Sequence, residues 1–258
     1  MFKNIKFGIK ISTQNFDFLP DIYQNKDRLD FVEVILMSDF DIEDIKIISD
    51  LRIPYAIHLP NSNQGIDFGN VNYKYKTNLL IEKINNYSNK FKNLTPICYI
   101  VHPESGDLEL SITNIKKLKI NPVAIENMPK KSIHTGICIG DSPESLIEYF
   151  NQIKNLEFCF DISHAIKASI FYHINYINYI KNFLNFKKPI LFHISGGTLD
   201  IEFDEHLPLM KSEYDLAKIL KILINHGSII NLTFETPRDY TKKIQDDLEN
   251  IDYCLNFI

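Results

Sequence analysis

Short runs of β-branched and aromatic residues recur from one end of this chain to the other. Between them, apolar residues return at helical spacing. The runs at 7–12, 31–37, 55–59, 98–103, 123–127, 157–162, 189–195 and 229–235 predict eight buried strands. The stretch 78–91 carries apolar residues near the helical period, and 143–153 opens after Asp141-Ser142, an N-cap signal. A third helix is predicted over 212–226, ending at Gly227, a residue suited to a helix C-cap. The last stretch, 239–257, predicts a closing helix in which charged and apolar positions alternate. Eight strands, each followed by a connection of helix length, predict a closed (β/α)8 TIM barrel of the α/β class rather than an open sheet. The 258 residues suit one such barrel, and no linker or low-complexity break divides them, so a single domain over 1–258 is expected.

The strands end in an unusual way. Six of them close on a residue able to bind a metal: Tyr-Ala-Ile-His58, Tyr-Ile-Val-His102, Val-Ala-Ile-Glu126, Phe-Cys-Phe-Asp161, Ile-Leu-Phe-His193 and Leu-Thr-Phe-Glu235. A polar group at the end of a buried strand is costly unless something pairs with it. In a barrel of this kind the C-terminal strand ends form one mouth, so these six residues are expected to ring it. His164 follows three residues after Asp161, and Asp204 stands two residues before His206 in the connection after the seventh strand. In an extended segment the Asp204–His206 spacing would turn both side chains to one face. Imidazole with carboxylate suits zinc, and also iron or manganese. Nine donors exceed what one tetrahedral ion uses, so two or three ions are expected.

Composition narrows the class of protein without naming the reaction. Hydrophobic residues make up 45% and charged residues 24%, as in ordinary globular proteins, and no apolar stretch is long enough to span a bilayer. The start of the chain lacks a secretory apolar region, and the four cysteines show no metal or redox spacing, which predicts a cytoplasmic protein with reduced thiols. A formal net charge of −5 argues against a broadly basic surface, though not against phosphate contacts inside a cleft.

The residues with ligand chemistry, in their order and spacing, resemble the xylose-isomerase-like barrels, and within them the endonuclease IV (type 2 apurinic/apyrimidinic endonuclease) branch. The resemblance runs from His58 to Glu235. It is carried by His102-Pro, Glu126-Asn127, Phe160-Asp161-x-x-His164-Ala165, His193 followed by Asp204-x-His206, and Glu235-Thr236. It implies that His58 and His102 hold a first zinc, with Glu126 bridging to a second bound also by Asp161, His193 and Glu235. His164, Asp204 and His206 would hold a third. Sugar isomerases and epimerases of the same superfamily typically keep only the Glu126, Asp161, His193 and Glu235 positions. The implied activity is cleavage of DNA at abasic sites, with Glu126 and Glu235 the residues most tied to chemistry.

The chain also departs from that branch. Thr13-Gln-Asn-Phe-Asp after the first strand and Leu-Pro-Asn-Ser-Asn-Gln-Gly after His58 do not match its DNA-engaging loops. Small residues that follow the second histidine in the family are replaced by Glu104-Ser105-Gly106. Other readings therefore stand beside the first. One is a sugar isomerase or epimerase, in which Glu126 and Glu235 face each other across the substrate as proton-transfer groups. Others are a multinuclear iron enzyme that modifies peptides, and a metal-binding barrel without catalysis. The expected partner is abasic DNA or a small phosphorylated or sugar substrate, with neither a membrane nor a protein partner indicated. His134, His173 and His226 are expected at the surface or in loops. Glu33 is expected to be an ordinary carboxylate of the mouth, and Tyr172, Tyr176 and Tyr179 to serve helix packing. Lys130, Lys131 and Arg238 are expected to be solvated loop charges near the mouth, within reach of a phosphate.

Overall fold

The predicted apolar runs form strands because their branched and aromatic side chains fill both faces of a parallel sheet. The computed structural model describes residues 4–258 except positions 92 and 228. The strands are β1 (Ile5–Ser12), β2 (Phe31–Ile35), β3 (Tyr55–His58), β4 (Tyr99–Val101), β5 (Val123–Glu126), β6 (Lys131–Ser132), β7 (Gly136–Ile137), β8 (Glu157–Asp161), β9 (Leu191–Ile194) and β10 (Ile230–Phe234). Eight of them close a parallel barrel in the order β1-β10-β9-β8-β5-β4-β3-β2, with β1 pairing β2 to complete the circle. The exceptions, β6 and β7, form a small antiparallel ribbon.

Around the barrel run α1 (Leu19–Gln24), α2 (Ile42–Ser49), α3 (Lys74–Asn86), α4 (Ser88–Phe91), α5 (Leu108–Ile115), α6 (Pro143–Gln152), α7 (Ile162–Phe171), α8 (Tyr176–Phe186), α9 (Leu216–Asn225) and α10 (Gln245–Leu255). The N-cap at Ser142 forms as predicted, through a reciprocal pair with Ser145, and Gly227 takes the left-handed conformation (φ 78°) past α9. Three expectations shift. Helix α3 begins earlier than residue 78, in a polar segment without apolar periodicity, and stops before Tyr87. The third helix begins at Leu216 because Asp215 caps it, its side chain accepting from Lys218 N. The closing helix begins at Gln245, because Asp239 caps a separate turn at Tyr240–Lys242 and Lys243 has a positive φ (53°). Among the described residues no helix is long and apolar enough to cross a membrane, and all four cysteines are buried as free thiols.

Strand alternation divides the barrel interior into layers. The lower layer holds Phe31, Ala56, Ile100, Ala124, Cys159 and Leu191, an apolar cluster separate from the larger core between sheet and helices. Small neighbours leave room for Phe31: a side chain at Gly8 would begin 2.4 Å from its ring. Two residues further along each strand register stand Lys10, Glu33, His58, His102, Glu126, Asp161, His193 and Glu235. The layer facing the mouth is thus ionisable throughout.

Candidate metal centre

Each predicted donor is placed by a strand end or by the segment just beyond it, and all nine meet at the mouth. Glu126, closing β5, lies between two groups. Its Oε2 is 3.4 Å from His58 Nε2 and 3.1 Å from His102 Nε2. Its Oε1 is 3.1 Å from His193 Nδ1 and 3.6 Å from His164 Nδ1. Among the groups whose donor atoms lie within 4.8 Å of one another are two sets, His58–His102–Glu126 and Glu126–Asp161–His193–Glu235, overlapped by Glu126–Cys159–His193 and Glu33–His58–Glu235. A third set gathers at one oxygen: Asp204 Oδ2 is 3.3 Å from His164 Nε2 and 2.8 Å from His206 Nε2.

The hydrogen bonds of the five rings decide which nitrogen is left for other work. His58 Nδ1 donates to the Leu59 carbonyl, His164 Nδ1 to the Asn127 carbonyl and His206 Nδ1 to the Glu235 carbonyl, each at 2.8 Å. The remaining two rings are held by carboxylates. His102 Nδ1 donates to Glu104 (3.1 Å), and His193 Nε2 to Glu33 (2.7 Å). Every ring thus has one nitrogen fixed from behind and the other turned toward the donor sets, the arrangement by which proteins orient metal-binding imidazoles.

The Asp161-x-x-His164 motif serves two purposes at once. One oxygen of Asp161 caps α7 by accepting from His164 N (2.6 Å), while Oδ2 is buried without a hydrogen-bond partner. Asn127 grips the Asp161 backbone from both sides, accepting from its N and donating to its O at 2.8 Å. Asp204 and His206 converge, but not through an extended segment: His206 has a left-handed backbone (φ 51°), so the turn at this residue, rather than strand alternation, brings the pair together. The loop carrying them is tied down by Lys167, a buried lysine one turn beyond His164, which donates to the carbonyls of Thr198 and Ile201 and to Glu205.

Electrostatics record an excess of negative charge. Burial pushes Asp161 up to about 6, helped by Glu235, Glu126 and Asp204 and opposed by His164. Burial works against charge on His102 and His164, yet Glu126 and Glu104 hold the first at about 10, and Asp161 and Asp204 hold the second there. Protons on these rings do the work a cation would do. The residues present fit a set of divalent ions: oxygen and imidazole donors converge, Asp161 Oδ2 is buried with no hydrogen-bond partner, and Glu126 Oε1 and Asp204 Oδ2 are buried facing histidine nitrogens.

Three residues of the mouth were not expected to matter. Glu33 is fully buried and lies between His193 and Lys10, whose Nζ is 2.9 Å away. Lys10 also pairs with Glu235. Glu104 holds His102. Alternation along β1 and β2 places Lys10 and Glu33 on the interior face, which was the available signal; their partners are too distant in sequence for spacing to reveal. The other cations are already paired: Lys130 with Asp141, Lys131 with Glu202, and Arg238 with Asp247 through two hydrogen bonds. Arg238 is thus a half-buried structural pair rather than a solvated charge. Tyr172 and Tyr179 pack together and hydrogen-bond to Asp141. A cavity of about 460 Å³ opens over the donors, bounded by Asn61–Asn63 on one side and the β6–β7 ribbon, including exposed His134, on another.

Residues 102–254 match the family described as xylose isomerase-like TIM barrel. No curated protein matches the chain by sequence. Among solved structures, endonuclease IV from Thermus thermophilus aligns with a TM-score of 0.70 at 14% identity, over 98% of this chain and 100% of that one. A D-tagatose 3-epimerase-like protein aligns at 0.66 and 20% identity, over 97% and 98% of the two chains. The 3-keto-D-glucoside 4-epimerase of E. coli aligns at 0.66 and 12% identity, over 97% and 100%. At these identities the structural likeness establishes the fold alone. The sequence match spans eight of the nine converging donors and the strands that carry them, so the chain belongs to the xylose isomerase-like TIM barrel family.

Proposed function

We propose that this protein is a multinuclear metal-dependent phosphoester hydrolase whose substrate is DNA at an abasic site. The observation that carries the reading is the division of nine donors into three sets. His58 and His102 would hold one ion, Asp161, His193 and Glu235 a second, and His164, Asp204 and His206 a third, with Glu126 shared between the first two. A single-ion sugar enzyme has no use for the first and third sets. When bound, divalent ions of this kind lower the pKa of water, polarise a phosphoryl group and stabilise a leaving alkoxide.

The chain's own residues supply the framework for that chemistry. Glu126 directs one oxygen to each side and fixes the separation of the two sets. Glu235 belongs to the second set, and Lys10 beside it keeps a positive charge at the edge of the cavity. Three divalent ions would balance the six carboxylates Glu33, Glu104, Glu126, Asp161, Asp204 and Glu235. The charge of Lys10 would then remain to face an anionic substrate. With one ion, protonated histidines would have to supply the rest of the balance. An abasic nucleotide lacks a base to unstack, so its sugar can leave the helix at low cost and enter a cavity of this size.

One observation favours a second reading, epimerisation or isomerisation of a sugar. Three described cations near the mouth, Lys130, Lys131 and Arg238, are engaged with Asp141, Glu202 and Asp247, which leaves less positive charge free to meet duplex DNA. Glu126 and Glu235 both approach His193 Nδ1, at 3.1 and 2.7 Å, close enough to share a substrate between them. The deciding experiment loads the protein with zinc, manganese or iron, counts the ions, and offers an abasic duplex and a panel of sugars. Three ions with incision support the hydrolase. One ion with sugar turnover, and no incision in any metal form, would replace it with the isomerase.

A further inference from the structure

We infer that Glu104 is a positioning residue for the metal centre, coupling His102 to the loop that borders the cavity. The inference rests on the proposed metal centre and not on which reaction it performs. Glu104 stands two residues beyond His102, is buried to 1% exposure, and has a left-handed backbone with φ 59°. Glycine adopts that conformation freely, whereas a glutamate does so at a cost, and burying its carboxylate adds another. Residues held against such preferences are kept there by their surroundings, most often at functional sites.

The surroundings here are specific. Oε1 of Glu104 accepts from His102 Nδ1 at 3.1 Å and from Ser62 N at 2.9 Å. The first contact turns His102 Nε2 toward Glu126 and His58. The second pins the Asn61–Asn63 edge of the cavity to the same carboxylate. The Glu104 carbonyl accepts from Ile139 N at 2.9 Å, and Ser105 bridges Cys138, which fastens the segment leading out of the β6–β7 ribbon. One side chain thus sets the ring of a donor histidine and the position of the neighbouring cavity wall. Nothing comparable lies behind His58 or His164, whose rings rest on backbone carbonyls.

The test compares the parent protein with Glu104→Gly and Glu104→Gln by zinc and cobalt titration, cobalt absorption spectra and ion-free thermal melts. The glycine variant removes the contact and relieves the backbone. It should melt at or above the parent temperature without ions, bind one ion about ten- to a hundredfold more weakly, and change the cobalt spectrum. Glutamine, whose amide oxygen can still accept from both donors, should recover part of the lost affinity. Parent affinity and a parent cobalt spectrum in Glu104→Gly would overturn the assignment. Should that variant fail to fold, the same result in Glu104→Ala, which also removes both contacts, would overturn it. A parent protein that binds no ion would overturn the metal centre itself, and this role with it.

Discussion

Two residues along a strand separate two different chemistries inside this barrel. The lower layer, with Phe31, Ala56, Ala124, Cys159 and Leu191, is apolar and closed. The layer above it, with Lys10, Glu33, His58, Glu126, Asp161, His193 and Glu235, is almost as deeply buried yet ionisable at every strand. Both layers hang from the same backbone and share one register. The lower one gains stability from burial, about 1.5–3 kcal/mol for a side chain such as Phe31. The upper one spends part of that stability keeping charged groups away from water. A barrel can carry such a layer because the layer beneath it, and the helices outside, supply the stability it lacks.

The comparison makes opposite demands on substitutions in the two layers. The largest effect is expected at Glu126→Gln, which should leave the fold intact but reduce turnover by two or more orders of magnitude, since a neutral amide bridges two cations poorly. Near-parent turnover at full ion occupancy would remove the bridging role. Phe31→Ala should do the reverse, costing about 3–5 kcal/mol in denaturant unfolding while leaving the number of bound ions unchanged. A change in ion count there would mean that the two layers are not independent.

Removing the ions should act on the upper layer alone. Binding to the folded state contributes about 2.7 kcal/mol per ion at a hundredfold excess over Kd, so chelation should lower the thermal midpoint by several degrees. An unchanged midpoint, with ion loss verified by elemental analysis, would show that the carboxylates are already balanced by protons. The smallest effect is expected at Glu33→Gln. It keeps the shape but removes the charge behind His193, so one ion should bind about ten- to a hundredfold more weakly in competition with a chelator. Parent affinity would mean that the Glu33–Lys10 pair serves the fold and not the ring.

The sequence revealed the upper layer better than the elements that frame it. Strand ends such as Phe160-Asp161 and Phe192-His193 were conspicuous because a donor follows a run that buries both faces. The six strand-end donors meet at the mouth for that reason. The polar start of α3 and the two-residue strands of the ribbon carry no periodicity and were not legible. Glu33 and Glu104 were in plain view as residues, but their roles depend on partners. Glu33 meets a histidine 160 positions away, and Glu104 acts through a left-handed backbone that residue type argues against. Asp204 and His206 were foreseen as a pair, although by the wrong geometry: a turn at His206 brings them together, not an extended segment.

That pair has a consequence for how such a protein can change over generations. Most of the donors belong to strands whose alteration would disturb the barrel. Asp204 and His206 belong to a connection outside the barrel strands, fastened by Lys167, by the Gly196–Leu207 backbone pair and by His206 on the Glu235 carbonyl, so this peptide can be lengthened, exchanged or lost while the strand register survives. Exchange of that segment would remove two of the three donors gathered at Asp204 and leave the strand-end donors in place. Related barrels could thus gain or lose that part of the donor ring by trading one loop long before their strands diverge.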